Sequence, residues 1–226
     1  MDDPRLSLWE PLFGHALDIL DAAERSGQRL GEWSLGGGTA LMLRYRHRIS
    51  RDVDIFVPDP QWLGYLTPRL NAVAEEKTGE YVEQAGFVKL YFPQGEVDFI
   101  VATPLTPSPW QSETILGREI LVESPAEIVA KKLAHRGSEL KARDLFDIAA
   151  VIEREPECLA VLAPLLAARR AAVLQRLVEG EAALREDFAQ LDLLGKPPSY
   201  DQCVARVRAL FPTRAKRAPK KKPARR

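Results

Sequence analysis

Apolar residues recur at helical spacing over residues 8–26, where Leu12, His15, Ala16, Ile19, Leu20 and Ala23 share one face, and the spacing predicts an amphipathic first helix. The period then shortens. Runs at 33–35, 52–57, 87–92 and 96–101 are short, rich in Val, Ile, Phe and Tyr, and predict strands. The last two flank Pro93-Gln94-Gly95, so they read as a hairpin. A proline-rich link at 104–109 precedes a short strand or hairpin near 115–121. Helical spacing returns at Ser124-Pro125-Ala126-Glu127, which has the form of a capping box with proline at the first helical position. Gly137-Ser138 separates this helix from the next, and further helices are expected at 158–177 and 200–210. No internal repeat is visible. The order predicts an α+β fold: a small mixed β-sheet domain with an N-terminal helix (1–123), a helical domain (124–212) and a tail (213–226).

Composition narrows the class. The chain has 226 residues, enough for one large domain or two small ones, and 46% apolar residues can form a packed core. The two cysteines, Cys158 and Cys203, fall in helical segments and read as buried reduced thiols, not as a disulfide framework. The start, Met1-Asp2-Asp3-Pro4, is acidic and lacks the apolar core of a signal peptide, and no apolar run is read as long enough to span a bilayer. The expectation is a cytoplasmic protein with no membrane partner. A net charge of zero hides an asymmetry: residues 213–226 carry eight Lys and Arg and no acid, which leaves 24 basic against 32 acidic residues, or −8, for the rest. Such a tail is expected to be disordered and could hold RNA or DNA by phosphate contacts; docking on the acidic body or aiding solubility are equal alternatives.

The chemistry concentrates in one stretch. Leu35-Gly36-Gly37-Gly38-Thr39-Ala40-Leu41 leads into a helix, and Arg48-Ile49-Ser50-Arg51-Asp52-Val53-Asp54-Ile55-Phe56 follows it. Glycines bring backbone N–H groups close to a ligand, and a helix N-terminus adds free donors and a dipole that favours phosphate. Asp52 and Asp54, two apart on a strand, share a face and suit Mg²⁺, which takes one or two carboxylates and completes its shell with water and phosphate oxygens. A nucleoside triphosphate fits both halves. No Gly-Lys-Ser/Thr follows the glycines, and Leu41 stands where the last glycine of a dinucleotide fingerprint would fall. Ser50 can support the phosphate turn and Arg48 can touch the triphosphate, with Arg44, Arg46 and His47 adding positive potential. No histidine has zinc-ligand spacing to another His or Cys.

A two-metal site needs a further carboxylate on a neighbouring strand. Asp98, between Val97 and Phe99, is costly there unless paired or metal-bound, and Glu96, on the same face, is the fallback. Lys132 projects from a partly apolar helix face, where it can snorkel to solvent or meet a triphosphate. Arg143 and Asp147, four apart, can form a plain helical ion pair.

Gly37-Gly38-Thr39-Ala40-Leu41, the Arg-x-Ser-x-Asp-x-Asp run at 48–54 and Arg143-Asp144-Leu145-Phe146-Asp147 together resemble the AbiEii/AbiGii-type nucleotidyltransferase toxins, of the DNA polymerase β-like superfamily. The matching motifs span roughly residues 33–150. The resemblance implies a nucleotidyltransferase-like sheet domain, with the nucleotide in a cleft against the helical domain. It also implies transfer of a nucleotide from an NTP to an acceptor by two Mg²⁺ ions, the acceptor being RNA such as tRNA, and a cognate antitoxin. By it, Asp52, Asp54 and Asp98 hold metal and Asp98 is the general base. Gly36, Gly37, Gly38, Thr39, Arg48, Ser50, Arg143, Asp144 and Asp147 bind nucleotide. Lys132 neutralises the triphosphate, Lys131 being the alternative one residue away. Two other functions stay open: an inactive nucleotide-binding or regulatory partner, and a small-molecule, antibiotic-type nucleotidyltransferase.

Overall fold

The computed structural model of the protein describes residues 3–27 and 30–211; the basic tail lies outside the described residues. Helix α1 (Glu10–Arg25) is followed by strand β1 (Ser34–Gly36), α2 (Gly37–Tyr45) and β2 (Val53–Val57). Short helices α3 (Leu63–Leu66) and α4 (Ala72–Lys77) lead to β3 (Tyr81–Gln84), β4 (Phe87–Phe92) and β5 (Gly95–Val101). The hairpin β6 (Trp110–Ile115) and β7 (Arg118–Glu123) precedes α5 (Pro125–Arg136), α6 (Ala142–Arg154), α7 (Cys158–Glu179), α8 (Glu181–Ala189) and α9 (Tyr200–Ala209).

The strands form one seven-stranded mixed sheet in the order β3-β4-β5-β2-β1-β7-β6. Alternation gives it two unlike faces. Val53, Ile55 and Val57 on β2, with Val97 and Phe99 on β5, are buried, and α1 packs on these two strands through a stripe that includes Leu12, Phe13, Ala16 and Ile19. Each Val, Ile, Leu or Phe among them contributes roughly 1.5–3 kcal/mol by leaving water. The other face carries Asp54, Phe56, Asp98 and Ile100, all partly exposed. Among the described residues the buried apolar side chains form one cluster, which runs from α1 through the sheet to α9.

Several expectations shift. The first strand begins at Ser34 instead of residue 33 and takes in Gly36, while Asp52 falls just before β2 instead of on it. Strand β3 escaped notice because all four of its residues are exposed and no apolar face marks it. The expected hairpin near 115–121 is there but longer: Ile115 ends β6, residues 118–121 belong to β7, and the turn between has positive φ at Leu116 (50°) and Gly117 (79°), a pair that matches the twist of flanking strands. The capping box closes only by half. Ser124 Oγ accepts from Glu127 N (3.2 Å), but the Glu127 carboxylate accepts from Leu105 N, Thr106 N and Thr106 Oγ1, and so ties the proline-rich link to α5. Cys158 and Cys203 are free and buried.

The reading that no apolar run can span a bilayer needs correction. The 22-residue α7 is long and apolar enough by length and composition, because its charges are few. A core helix passes the same test, and α7 packs on α5 and α8 and buries Leu162, Leu166, Val173 and Leu177 along one stripe.

Candidate active site

The cleft lies between the open face of the sheet and helices α5 and α6. Strands β2 and β5 run parallel and in register, which sets Asp54 beside Asp98 and Phe56 beside Ile100. Above them, Ile128, Lys131, Lys132 and Arg136 of α5 and Arg143 of α6 close the same cavity. Gly37, Gly38, Arg48, Ser50, Asp52 and Glu123 complete its wall.

The glycines are required by proximity. Gly37 has φ +65°, and a Cβ there would overlap the Asp54 carboxylate. A Cβ at Gly38 would strike the Arg48 guanidinium and come within 2.9 Å of Ser50 Oγ, while one at Gly36 would strike Glu123 and Phe56. The chain thus turns from β1 into α2 with its backbone pressed against the site's polar groups, and the first N–H groups of α2 open beside Asp54. Gly37→Ala is expected to cost about 1–2 kcal/mol from its left-handed backbone alone and to abolish any activity that needs Asp54 in place. Thermal melting beside a nucleotide-transfer assay checks both effects. Thr39 sits one turn in and donates to Asp52 O (2.5 Å), fixing the backbone before β2.

The carboxylates are held under strain of charge. Burial, and then the neighbouring Asp54, push the Asp98 carboxyl up to about 6, against the pull of Lys89. Burial likewise raises Asp54, with Lys132 and Arg136 opposing. Lys89 Nζ donates to Asp98 Oδ2 (2.9 Å) and to Glu96, so one ammonium from β4 serves both acids of β5. Asp98 Oδ1 is buried with no partner. Two crowded carboxylates and an orphaned oxygen are a donor set that fits a divalent cation. Asp52, on the cavity wall, is engaged by neighbours, its Oδ1 accepting from Glu96 N (3.3 Å) and its Oδ2 3.5 Å from Arg143. Among the described residues no three or more such side chains already form a metal-holding group.

Behind the cleft is a buried ion-pair network. Asp147 accepts from Arg48 Nε (2.7 Å) and Nη2 (2.8 Å), lies 2.8 Å from His47 Nε2 and pairs with Lys132 (3.1 Å). Lys132 also donates to Asp144 (2.6 Å), which Arg136 approaches at 3.2 Å. Burial works to raise the Asp147 carboxyl, but Arg48, Lys132 and His47 outweigh it and hold it well below the usual carboxylate range. His47 stacks on Phe146 (5.5 Å), Phe146 meets Phe188 (5.8 Å) and Phe188 meets Tyr200 (5.6 Å), a column of rings from the cleft into the last helices. The backbone is joined there too: Ile49 N donates to Asp192 O (2.8 Å), Leu194 N donates to His47 O (3.0 Å), and Arg48 bridges to Leu193.

Of the residues singled out in the sequence, Gly37, Gly38, Arg48, Ser50, Asp52, Asp54, Asp98, Lys132 and Arg143 line the cavity. Asp144 and Asp147 do not; they are buried behind it and neutralise Lys132 and Arg48. The helical pair Arg143–Asp147 does not form, because Arg143 points to Asp52 and Asp147 points inward. Sequence reasoning missed Glu123, Arg136 and Lys89; Lys131, offered only as the alternative to Lys132, also lines the cavity, as does Phe56, which closes the aspartate run. Glu123 is fully buried at the end of β7, pairs with Lys131, and is pushed up to about 7 by burial. Only the apolar context of Ile120, Leu121 and Val122 could have flagged it.

No curated protein sequence matches the chain. Among solved structures, a protein of H. pylori described as a nucleotidyltransferase is 17% identical over 93% of this chain and 96% of its own, with a TM-score of 0.51. MenT4, a nucleotidyltransferase toxin of Mycobacterium tuberculosis H37Rv, is 18% identical over 93% of this chain and 89% of its own (TM-score 0.48). The antibiotic-resistance factor ANT(2'')-Ia is 17% identical over 77% of this chain and 97% of its own (TM-score 0.47). At such identities the first of these likenesses speaks for the fold alone. The match to a family is far more extensive: residues 19–218 fit the nucleotidyl transferase AbiEii toxin of type IV toxin–antitoxin systems, so the chain belongs to that family and is a nucleotidyltransferase.

Proposed function

We propose that the protein transfers a nucleotide from a nucleoside triphosphate to a hydroxyl of an RNA acceptor such as tRNA, with Mg²⁺, and that it is the toxin of a pair with a cognate antitoxin. The observation that carries the reading is the side-by-side Asp54–Asp98 pair, with an orphaned oxygen on Asp98, set against the glycine-led N-terminus of α2. The α2 N–H groups, Gly38, Ser50 and Arg48 form the phosphate end of the cleft, and Arg143, Arg136 and Lys132 add positive charge above it. Asp54 and Asp98, joined by Asp52 once it leaves Arg143, would hold the metal ions. Bound there, the ions supply charge neutralisation for the triphosphate and help the acceptor hydroxyl ionise.

In the proposed step the acceptor oxygen forms a bond to the α-phosphorus while the bond from that phosphorus to the bridging oxygen of the β-phosphate breaks. Pyrophosphate leaves and the hydroxyl proton passes to Asp98. Asp98 is the acid placed for this, beside Asp54 and with one buried oxygen that has no partner. The test incubates purified protein with Mg²⁺, each α-³²P-labelled NTP in turn, and total bacterial RNA, beside Asp54→Asn. Labelled RNA that disappears in the variant is the expected result and names the nucleotide. Equal label with the variant, or none with wild type, sinks the reading.

A further inference from the structure

A second cavity adjoins the first across a thin partition. It is walled by Trp62, Trp110, Pro58 and Pro104, with Phe56 and Lys131 as the side chains it shares with the catalytic cavity. The Lys131 ammonium lies over the Phe56 ring at 3.8 Å from its centroid, and on its other side it pairs with Glu123. Trp62 is seated against Gly31, where a Cβ would come within 2.8 Å of the indole. Both tryptophans remain partly exposed, although hydrophobic burial alone would favour covering them. At about 260 Å³ the cavity falls just under the roughly 300–1,000 Å³ of whole small-molecule sites, a size for one planar ring system.

Its polar groups are sparse and aimed. Ser34, on the wall, reaches toward Glu123 Oε1 at 3.5 Å, while Glu123 itself lines the catalytic cavity and packs against Gly36. Glu32 stands at the opposite rim. Flat aromatic and proline walls, a cation, and the Glu32 carboxylate able to accept an N–H donor are what a nucleobase needs: faces to stack and an edge to bind. Phe56 is two residues along β2 from Asp54, so by strand geometry the partition stands about 7 Å from the reacting end. That distance suits the base of a nucleotide whose phosphate or hydroxyl lies at Asp54.

We propose that this aromatic cavity is a nucleobase-stacking subsite of the nucleotidyltransferase cleft. The inference rests on the nucleotidyl-transfer reading above and adds to it the group held beyond Phe56. The base belongs either to the triphosphate or to the terminal nucleotide of the acceptor; the chemistry is shared, and binding measurements separate the two.

The experiment compares wild type with Trp110→Ala by equilibrium binding without turnover, using three probes: a nucleoside triphosphate, a short single-stranded RNA with a free 3′-hydroxyl, and inorganic tripolyphosphate. Stacking on an aromatic side chain predicts that Trp110→Ala weakens one base-bearing probe by about 5- to 100-fold while tripolyphosphate binding is unchanged. Loss confined to the triphosphate assigns the donor base, and loss confined to the RNA assigns the acceptor base. Trp110→Phe should restore most of the affinity, which a merely structural role for the indole would not require. Unchanged binding of both base-bearing probes overturns the subsite, as does an equal loss for tripolyphosphate. Failure of the wild type to bind any of the three would count instead against the nucleotidyl-transfer reading.

Discussion

Asp54→Asn is expected to lower nucleotide transfer by roughly a thousandfold or more while raising the melting temperature by a few degrees. The activity loss follows from the several kcal/mol that metal-ion stabilisation of phosphoryl transfer supplies, at 1.36 kcal/mol for each factor of ten. The stability gain has the opposite sign for a physical reason. Burial, and less strongly Asp52, raise the Asp54 carboxyl against the pull of Lys132 and Arg136, so its ionised form costs folding free energy at neutral pH, and that cost fades as the pH falls and the group is protonated. Asparagine keeps the shape and removes the charge beside Asp98. Calorimetry with and without Mg²⁺ checks the pair of effects: the ion should stabilise the wild type and leave the variant nearly unmoved. A variant that loses both activity and stability would show Asp54 to be a structural residue.

The largest stability effect is expected at Asp147. Its carboxylate is fully buried and meets Arg48, His47 and Lys132, of which Arg48 is itself 5% exposed. Asp147→Ala leaves Arg48 buried without its bidentate partner, and breaking such a pair costs about 3–5 kcal/mol. For a domain of this size that is a fall of roughly 6–20 °C in Tm. Asp147→Asn keeps some hydrogen bonds and should fall between. The pH dependence has a definite sign. A carboxyl held well below its usual range stabilises fully above its unfolded pKa, and the contribution is lost as pH falls through the depressed folded value. The gap in Tm between wild type and Asp147→Ala should therefore narrow only below about pH 4. A Tm within 2 °C of wild type would mean the network is solvated and Asp147 dispensable.

The sequence was most readable where local chemistry and tertiary role coincide. The alternation Val53, Ile55, Val57 against Asp54 and Phe56 is visible in five letters, and the structure buries the first set and opens the second to the cleft. The hairpin around Gly95 and the helix start at Ser124 carry their own turn and cap residues, so they too were legible. Long-range partnership was not. Nothing in residues 87–101 says that Lys89 will be the counter-ion of Asp98, because that depends on a cross-strand register. Helical spacing made Arg143 and Asp147 neighbours on one face, yet desolvated Arg48, 99 residues away, is the stronger partner for Asp147. Glu123 was invisible for the same reason: its neighbour Lys131 lies a turn along the next helix, and the space it fills exists only because Gly36 lacks a Cβ.

Many two-walled sites work by hinging, one wall swinging shut once the substrate has arrived. Among the described residues, the stitching of residues 47–49 to residues 192–194, added to the Arg48–Asp147–Lys132 pairs, opposes such a swing. To swing the helical wall away from the sheet would break buried charges and backbone bonds together. Those contacts favour a standing cleft. Its geometry is settled when the chain folds, so a nucleotide that enters need not meet the entropy of assembling the site as well as its own loss of freedom.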